Sequence, residues 1–301
     1  MDYKITYNEF QKRLKWNINQ KIDHALYTIE SFNNIFPNSS VSFSGGIDST
    51  VLLWLVRKIS SNKKAVFINT TNEFIETIQF VKNTQNVEII KPKINFIQTV
   101  EKYGFPLISK RVARMLHDIR NPTENNKHSR NLYLTGIKRN GEKNPFYILA
   151  KKYRHLIDAP FNVTDKCCYH LKKSPSLFLN KNGIFIGTLA TESEDRRMSY
   201  LKTGCINLKK NIGQPLSIFY KNEIWKIVKD NNIKYCDLYN RGECSLGCAY
   251  CGFGFQFDRM RFFRLQQRDP KRYKQMIGIK NNGITYKQAI EYTFGKCGLF
   301  C

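Results

Sequence analysis

Apolar residues recur at helical spacing through the first 36 residues, at Phe10, Leu14, Trp16, Ile22, Ala25, Leu26 and Ile29. The pattern then shortens. Ser40-Val41-Ser42-Phe43 reads as a strand that runs straight into a glycine pair, and Thr50 to Ile59 reads as a buried helix. Ala65 to Thr70 is a second strand, Phe74 to Val81 returns to helical spacing, and Val87 to Ile90 is a third strand. This alternation predicts an α/β fold, a parallel twisted sheet with helices on both faces. The sheet resumes at Gly183 to Gly187. Residues 121–144 are polar and basic, with Asn-Pro, Asn-Asn and Asn-Gly breakers, and predict a mobile surface loop. After Cys251 the chain turns helical and basic-aromatic, from Phe255 to about Met276. The expected organisation is a helical segment at 1–36, a nucleotide-binding α/β domain at 37–235, and a Cys-rich, basic helical region at 236–301.

A hydrophobic content of 42% supports a sizeable core. No apolar run approaches the roughly 18 residues of a membrane span. Met-Asp-Tyr-Lys-Ile-Thr lacks the pattern of a secretory signal, so a cytoplasmic location is expected. The 49 Lys and Arg against 24 Asp and Glu give a net charge of +25. Part of this follows from a composition rich in Lys, Asn and Ile, but the scarcity of acidic residues does not. Such a field attracts anions, either nucleotides or nucleic acid.

The strand ending at Phe43 leads into Ser44-Gly45-Gly46-Ile47-Asp48-Ser49-Thr50. Glycines let a backbone approach phosphate closely, and consecutive N–H groups at a helix start face an anion. The hydroxyls of Ser44, Ser49 and Thr50 add donors, while Asp48 could orient the loop or hold Mg²⁺. No Gly-Lys-Thr ending is present, so this is not the Walker loop.

Ser-Gly-Gly-x-Asp-Ser resembles the signature of the PP-loop ATP pyrophosphatases and of the related PAPS/APS (sulfonucleotide) reductases. The resemblance continues in Asn69-Thr70-Thr71-Asn72-Glu73-Phe74-Ile75-Glu76-Thr77, similar to Asp-Thr-Gly-x-Glu-Phe-x-Glu-Thr, with Asn69 for Asp and Thr71 for Gly. Gly187 to Arg196 is similar to Gly-x-x-x-x-Glu-Ser-x-x-Arg, and Pro215-Leu216-Ser217 with Ile224-Trp225-Lys226-Ile227 resembles a further family stretch. Together these cover residues 40–255, and the match is closest to PAPS-reductase-domain proteins of bacteria and phages. The resemblance implies that Ser44, Gly45, Gly46, Asp48, Ser49, Thr50, Thr70, Lys110 and Ser193 bind the nucleotide. It places Glu192 and Arg196 on the substrate side, where an arginine fork suits phosphate or sulfate. Lys110, in Ser109-Lys110-Arg111, fits a surface lysine nearly as well.

Nine cysteines without an export signal suggest metal or redox chemistry more than disulfides. Cys167-Cys168 and Cys248-x-x-Cys251, 79 intervening residues apart, resemble the [4Fe-4S] pattern of iron–sulfur APS reductases. Structural zinc and unligated thiols are the alternatives. Cys236, Cys244 and Cys205 are alternate ligands; Cys236, Cys244, Cys248 and Cys251 would also form a local site like that of DNA-phosphorothioation enzymes. Lys296-Cys297-Gly298-Leu299-Phe300 resembles the reductase tail Glu-Cys-Gly-Leu-His, which implies a nucleophilic Cys297. A flexible cysteine-bearing terminus is the plainer reading. The five histidines show no ligand spacing. In the 259–273 stretch, Phe257, Met260, Phe263 and Tyr273 are expected to face the core, with the arginines left open.

Three functions follow. One is a sulfonucleotide reductase that takes APS or PAPS to sulfite with a thiol or thioredoxin-like reductant. Another is an ATP-pyrophosphatase-type sulfur transferase acting on nucleic acid, favoured by the charge and by the 12 Lys/Arg against 3 Asp/Glu between Lys110 and Arg154. The third is a non-catalytic nucleic-acid-binding protein with a structural metal.

Overall fold

The computed structural model describes residues 4–177, 179–255 and 257–295. It divides into two units, one made of Met1–Asn69, Glu73–Lys91 and Pro175–Gly247, the other of Thr70–Asn72, Pro92–Ser174 and Cys248–Cys301. The expected segments 1–36, 37–235 and 236–301 differ from this division. The N-terminal helices belong to the sheet unit, and the middle of the chain groups with the C-terminal part.

In the first unit, β1 (Ser40–Ser42) is an inner strand of a six-stranded sheet. It pairs in parallel with β2 (Ala65–Ile68) on one side and β4 (Ile184–Phe185) on the other. β3 (Val87–Ile90) extends the sheet beyond β2, and β6 (Ile212–Gly213) extends it beyond β4. Only β5 (Ile206–Asn207), on the β6 edge, is antiparallel. The order is therefore β3-β2-β1-β4-β6-β5. Parallel strands need crossovers, and the helices that make them cover the apolar runs of Val41, Ala65 and Phe67.

The expected helical region at 1–36 is two helices, Tyr7–Leu14 and Ile18–Ile35. Asn17 divides them: its side chain accepts from the Gln20 N–H while Gln20 caps it in return, which restarts the helix. Phe32, Leu52, Val56, Phe185 and Leu216 are core members contributed by distant parts of the chain. Lys21 is 0% exposed, and its Nζ donates to both Glu223 carboxylate oxygens at 2.8 Å. His24 packs edge-on to Trp16, with Nε2 3.6 Å from Cys205 Sγ. Burial first, then the Arg13 charge, lowers the His24 pKa to about 4. Burial likewise pushes the Cys205 thiol up to about 11.

The second unit is mainly helical, with a small antiparallel pair of β7 (Lys280–Asn281) and β8 (Ile284–Thr285). Phe105 stacks on Tyr286 with ring centroids 5.0 Å apart, and Phe161 meets Phe105 at an angle. Gly104 has φ +103°, and a Cβ there would stand 2.2 Å from the Asn162 carbonyl oxygen, so only glycine fits.

Two expectations need correction here. Residues 121–144 are not a loop throughout: they contain the helix Lys127–Thr135, entered through a Thr123–Asn126 capping box and stopped by left-handed Gly136. That helix buries no residue, so it carries no apolar stripe to betray it. In the helices Met260–Arg268 and Pro270–Ile277, the buried side chains are Phe262, Leu265, Tyr273 and Met276. Phe257, Met260 and Phe263 are exposed, Phe257 to 85%. The helix begins at Met260, and its inward stripe is one position out of phase with the expected one. Among the described residues no helix is long and apolar enough to cross a membrane.

Lys21→Ala should destabilise the protein by about 3 kcal/mol, because the Glu223 charge loses its partner, and Glu223→Gln in the same chain should recover part of that loss in urea unfolding. His24 makes a separate prediction. Its folded pKa lies below the ordinary 6.5, so the unfolded chain takes up a proton that the folded one refuses. Stability should fall as pH drops from about 6.5 towards about 4, and His24→Gln should flatten that decline in urea midpoints compared between about pH 7 and about pH 5.

Candidate functional site

The strand order fixes where a ligand can reach the sheet. From β1 the chain moves outward through β2 and β3 on one side, then returns to lay β4 on the other. Such a reversal leaves a crevice at the carboxyl end of the strands, and here that end of β1 runs into Ser44-Gly45-Gly46. Gly45 takes φ +74°, a conformation that side chains resist, and its missing Cβ would lie 2.9 Å from Thr77 Cγ2. A Cβ on Gly187, just beyond β4, would meet the Asp48 and Ser49 backbone at 3.1 Å. The loop therefore lies flat between two close neighbours.

Its hydroxyls brace it from within. Ser44 N–H donates to Ser49 Oγ at 3.2 Å, and Gly46 N–H donates to Ser44 Oγ at 3.3 Å. Ser49 and Thr50 both donate to the Gly46 carbonyl. The helix Ile47–Ile59 starts at Gly46 with no side-chain cap. One first-turn amide, Ile47 N–H, donates to the Tyr239 hydroxyl at 2.9 Å. Burial, first of all, raises the Tyr239 pKa to about 12, so the phenol keeps its proton and can donate it onward.

Beside the loop runs a row of alternating charges. Lys221 Nζ donates to both Asp48 oxygens at 2.7 and 2.5 Å, and lies 3.1 Å from Glu192. Glu192 is in turn paired with Arg196. The row neutralises Asp48 at the helix start and leaves the helix's own positive end for an anion.

The second unit holds the other chemical cluster. Cys167, Cys168, Cys248 and Cys251 line one small cavity, about 20 Å³, rimmed by Phe96, Pro106 and Leu171. The vicinal pair lies on the short helix Lys166–Cys168, which runs on into a π-helical turn over Tyr169–Lys173. The thiol of Cys167 hydrogen-bonds Cys168, and this, with the nearby Lys110 and Lys172 ammonium groups, draws the Cys168 pKa down. The same bond, then burial, pushes Cys167 up. Burial, with Cys248 as the next cause, raises Cys251 to about 11. The thiols share a cavity without being drawn around one ion: among the described residues, no three His, Cys, Asp or Glu side chains are set to hold a single metal. Asn72 lines the cavity too, fully buried, and its Nδ2 has no hydrogen-bond partner among the described residues. Soft thiols, two ammonium groups and a spare N–H donor form a set that fits a sulfur-rich, anionic group.

A sequence profile described as the phosphoadenosine phosphosulfate reductase domain matches residues 38–252, more than half of the chain. The chain belongs to that family. An uncharacterized protein of Methanocaldococcus jannaschii is 22% identical over 282 residues, covering 90% of this chain and 55% of the relative. The chain thus spans about half the length of that relative. The adenosine 5'-phosphosulfate reductase of Oceanobacillus iheyensis is 22% identical over 263 residues, covering 83% of this chain and 87% of that one. Among solved structures, the phosphoadenylyl-sulfate reductase of Candida auris in its phosphate complex aligns with a TM-score of 0.43 at 13% identity, covering 82% of this chain and 98% of its own.

Within this family chain, the residues singled out from sequence fall into both units. Ser44 to Thr50, Glu192, Ser193 and Arg196 gather in the sheet unit, where Ser193 Oγ also caps the next helix by accepting from Arg196 N–H at 3.3 Å. Thr70 lies in the second unit, with Oγ1 3.6 Å from Cys248 Sγ, and Lys110 stands beside Cys168. The alternates have other surroundings: Cys205 sits by His24, Cys236 by Thr77, and Cys244 is exposed. Cys297 lies outside the described residues. Sequence reading missed Lys221, Tyr239 and Asn72. Only Asn72 carried a signal, since it lies inside the quoted Asn69–Thr77 stretch.

Gly45→Ala should cost about 1–2 kcal/mol for the left-handed backbone alone, with more added by the contact at Thr77. Gly283 offers the control: it has φ +83° and open space around its missing Cβ. In urea unfolding, Gly45→Ala should fall further than Gly283→Ala, and only the former should weaken adenine-nucleotide binding.

Proposed function

We propose that the chain is a sulfonucleotide reductase that binds APS or PAPS at the Ser44–Ser49 loop and releases sulfite. We also propose a [4Fe-4S] cluster on Cys167, Cys168, Cys248 and Cys251. The observation that carries this reading is the convergence of those four thiols on one cavity beside Lys110 and Lys172. A PP-loop alone suits ATP equally well; four clustered cysteines suit the reductase. The name of the Oceanobacillus relative agrees with APS as substrate. Cys167, Cys168, Cys248 and Cys251 would hold the cluster, which would supply a redox-capable centre tuned by the hydrogen bonds around it.

The glycine loop and the uncapped start of the Ile47–Ile59 helix hold the nucleotide phosphate, with Arg196 and Lys221 at hand for the sulfate. The Cys297 thiolate attacks the sulfate sulfur. An S–S bond forms, the bond from sulfur to the phosphate oxygen breaks, and AMP (or its 3'-phosphate) leaves with the electron pair. A reductant thiolate then attacks Cys297 Sγ and expels sulfite. A second reductant thiol resolves the mixed disulfide, so two thiols are oxidised for each sulfite made.

A second reading is favoured by one observation. Phe257 and Phe263, expected in the core, stand exposed beside Arg259, as a surface for stacking unpaired bases requires. In that reading the loop takes ATP with Mg²⁺, adenylates a nucleic-acid target and releases pyrophosphate.

Anaerobically purified protein should release sulfite from APS or PAPS with a dithiol reductant. Cys297→Ser should lower that rate on the order of 10³-fold or more. Pyrophosphate release from ATP that rises with added nucleic acid, with no sulfite from either sulfonucleotide, would replace the first reading with the second.

A further inference from the structure

Asn72 is one of the second unit's buried polar side chains with an atom that has no hydrogen-bond partner among the described residues, and it is the one that lines the thiol cavity. Its backbone carbonyl accepts from Ala249 N–H at 2.6 Å, and its side-chain Oδ1 accepts from Tyr250 N–H at 3.0 Å. Both donors lie between Cys248 and Cys251, so Asn72 clamps the Cys-x-x-Cys turn from two sides. The Tyr250 bond also fixes the amide's orientation. An oxygen committed to a backbone N–H sends Nδ2 the other way, and a flipped amide would set two donors against each other. Nδ2 is buried with no partner among the described residues, and Asn72 lines the cavity with all four thiols. An unmet N–H in such a place costs roughly 1–3 kcal/mol. The preceding residue adds to that cost. Thr71 holds φ +64°, where a β-branched residue is a genuine outlier, with its Oγ1 accepting from Phe96 N–H at 2.8 Å. A strained turn therefore delivers a fully buried amide with one open donor to a cavity lined by sulfur.

We infer that Asn72 donates its side-chain N–H to a sulfur of the group bound by Cys167, Cys168, Cys248 and Cys251. This rests on the [4Fe-4S] reading of the preceding subsection. The bond makes Asn72 a positioning and tuning residue: its oxygen sets the Cys-x-x-Cys turn, and its nitrogen stabilises negative charge on the cluster sulfurs. An N–H bond to a cluster sulfur favours the reduced, more negative state, so its loss lowers the reduction potential.

The test uses the full chain, purified anaerobically, with asparagine ¹⁵N-labelled in the side chain. Iron content and absorption near about 400 nm are measured first. Protein without either overturns the cluster reading, and with it this inference, before any coupling is sought. In cluster-bearing protein reduced radiolytically in frozen solution, pulsed EPR should show a ¹⁵N coupling that the unlabelled protein lacks. Asn72→Asp keeps the oxygen that holds Tyr250 N–H but removes the donor, and should retain iron while losing the coupling. A purely structural Asn72 would give no coupling in the parent protein, or one that survives in Asn72→Asp; either result overturns the inference. If Asn72→Asp fails to assemble, labelled against unlabelled parent protein still decides, since coupling supports the bond and its absence refutes it.

Discussion

A strand must become a helix across the four residues between Ser42 and Ile47, and the sheet unit is arranged around that constraint. Gly45 supplies the left-handed step, Thr77 lies against it, and Gly187 allows β4's continuation to press on the Asp48–Ser49 backbone. Ser44 and Ser49 spend their hydroxyls inside the loop, on the Ser44 and Gly46 N–H groups and the Gly46 carbonyl, and so hold its backbone in place. Lys221 pairs with the Asp48 carboxylate, a charge at the helix start that would repel an anion. Each element answers the same need: positive potential from the backbone, with no competing side chain.

The cysteine cavity solves the opposite problem. Four thiols together resist ionisation, because each new charge is buried beside the others. The vicinal pair eases this by sharing a proton, and Lys110 and Lys172 lend positive charge to the member that ionises first. Part of the chain's surplus of basic residues thus has a local purpose.

Much of this was legible in the sequence, for physical reasons. Parallel strands covered on both faces are short, continuous apolar runs, so Ala65–Ile68 and Val87–Ile90 stood out. The glycine loop and the paired cysteines are compact in sequence, and compact motifs can be read. Lys221 and Tyr239 were invisible because they act on the loop across about 170 and 190 intervening positions, and neither residue type is distinctive. The Lys127–Thr135 helix was missed because it buries nothing, and the 257–263 side chains because the helix begins at Met260 rather than Phe255, which leaves Phe257 before it and turns Phe262 and Leu265 inward. Thr71 is the instructive case. It looked like a departure from the family's glycine, yet it takes φ +64°, a conformation that glycine adopts without strain, and bears that strain itself.

The pairing of Ser40 with Ile184 has a bearing on how the protein is made. During synthesis, β1 emerges early, but its β4 neighbour follows only after the intervening chain, a wait on the order of ten seconds at ordinary translation rates. Until then β1 presents an unpaired edge on the side away from β2, and the glycine loop lacks its close neighbour at Gly187. Folding of the sheet unit is therefore slow and dominated by distant contacts. Until its second half arrives, that edge is open to pairing with other strands.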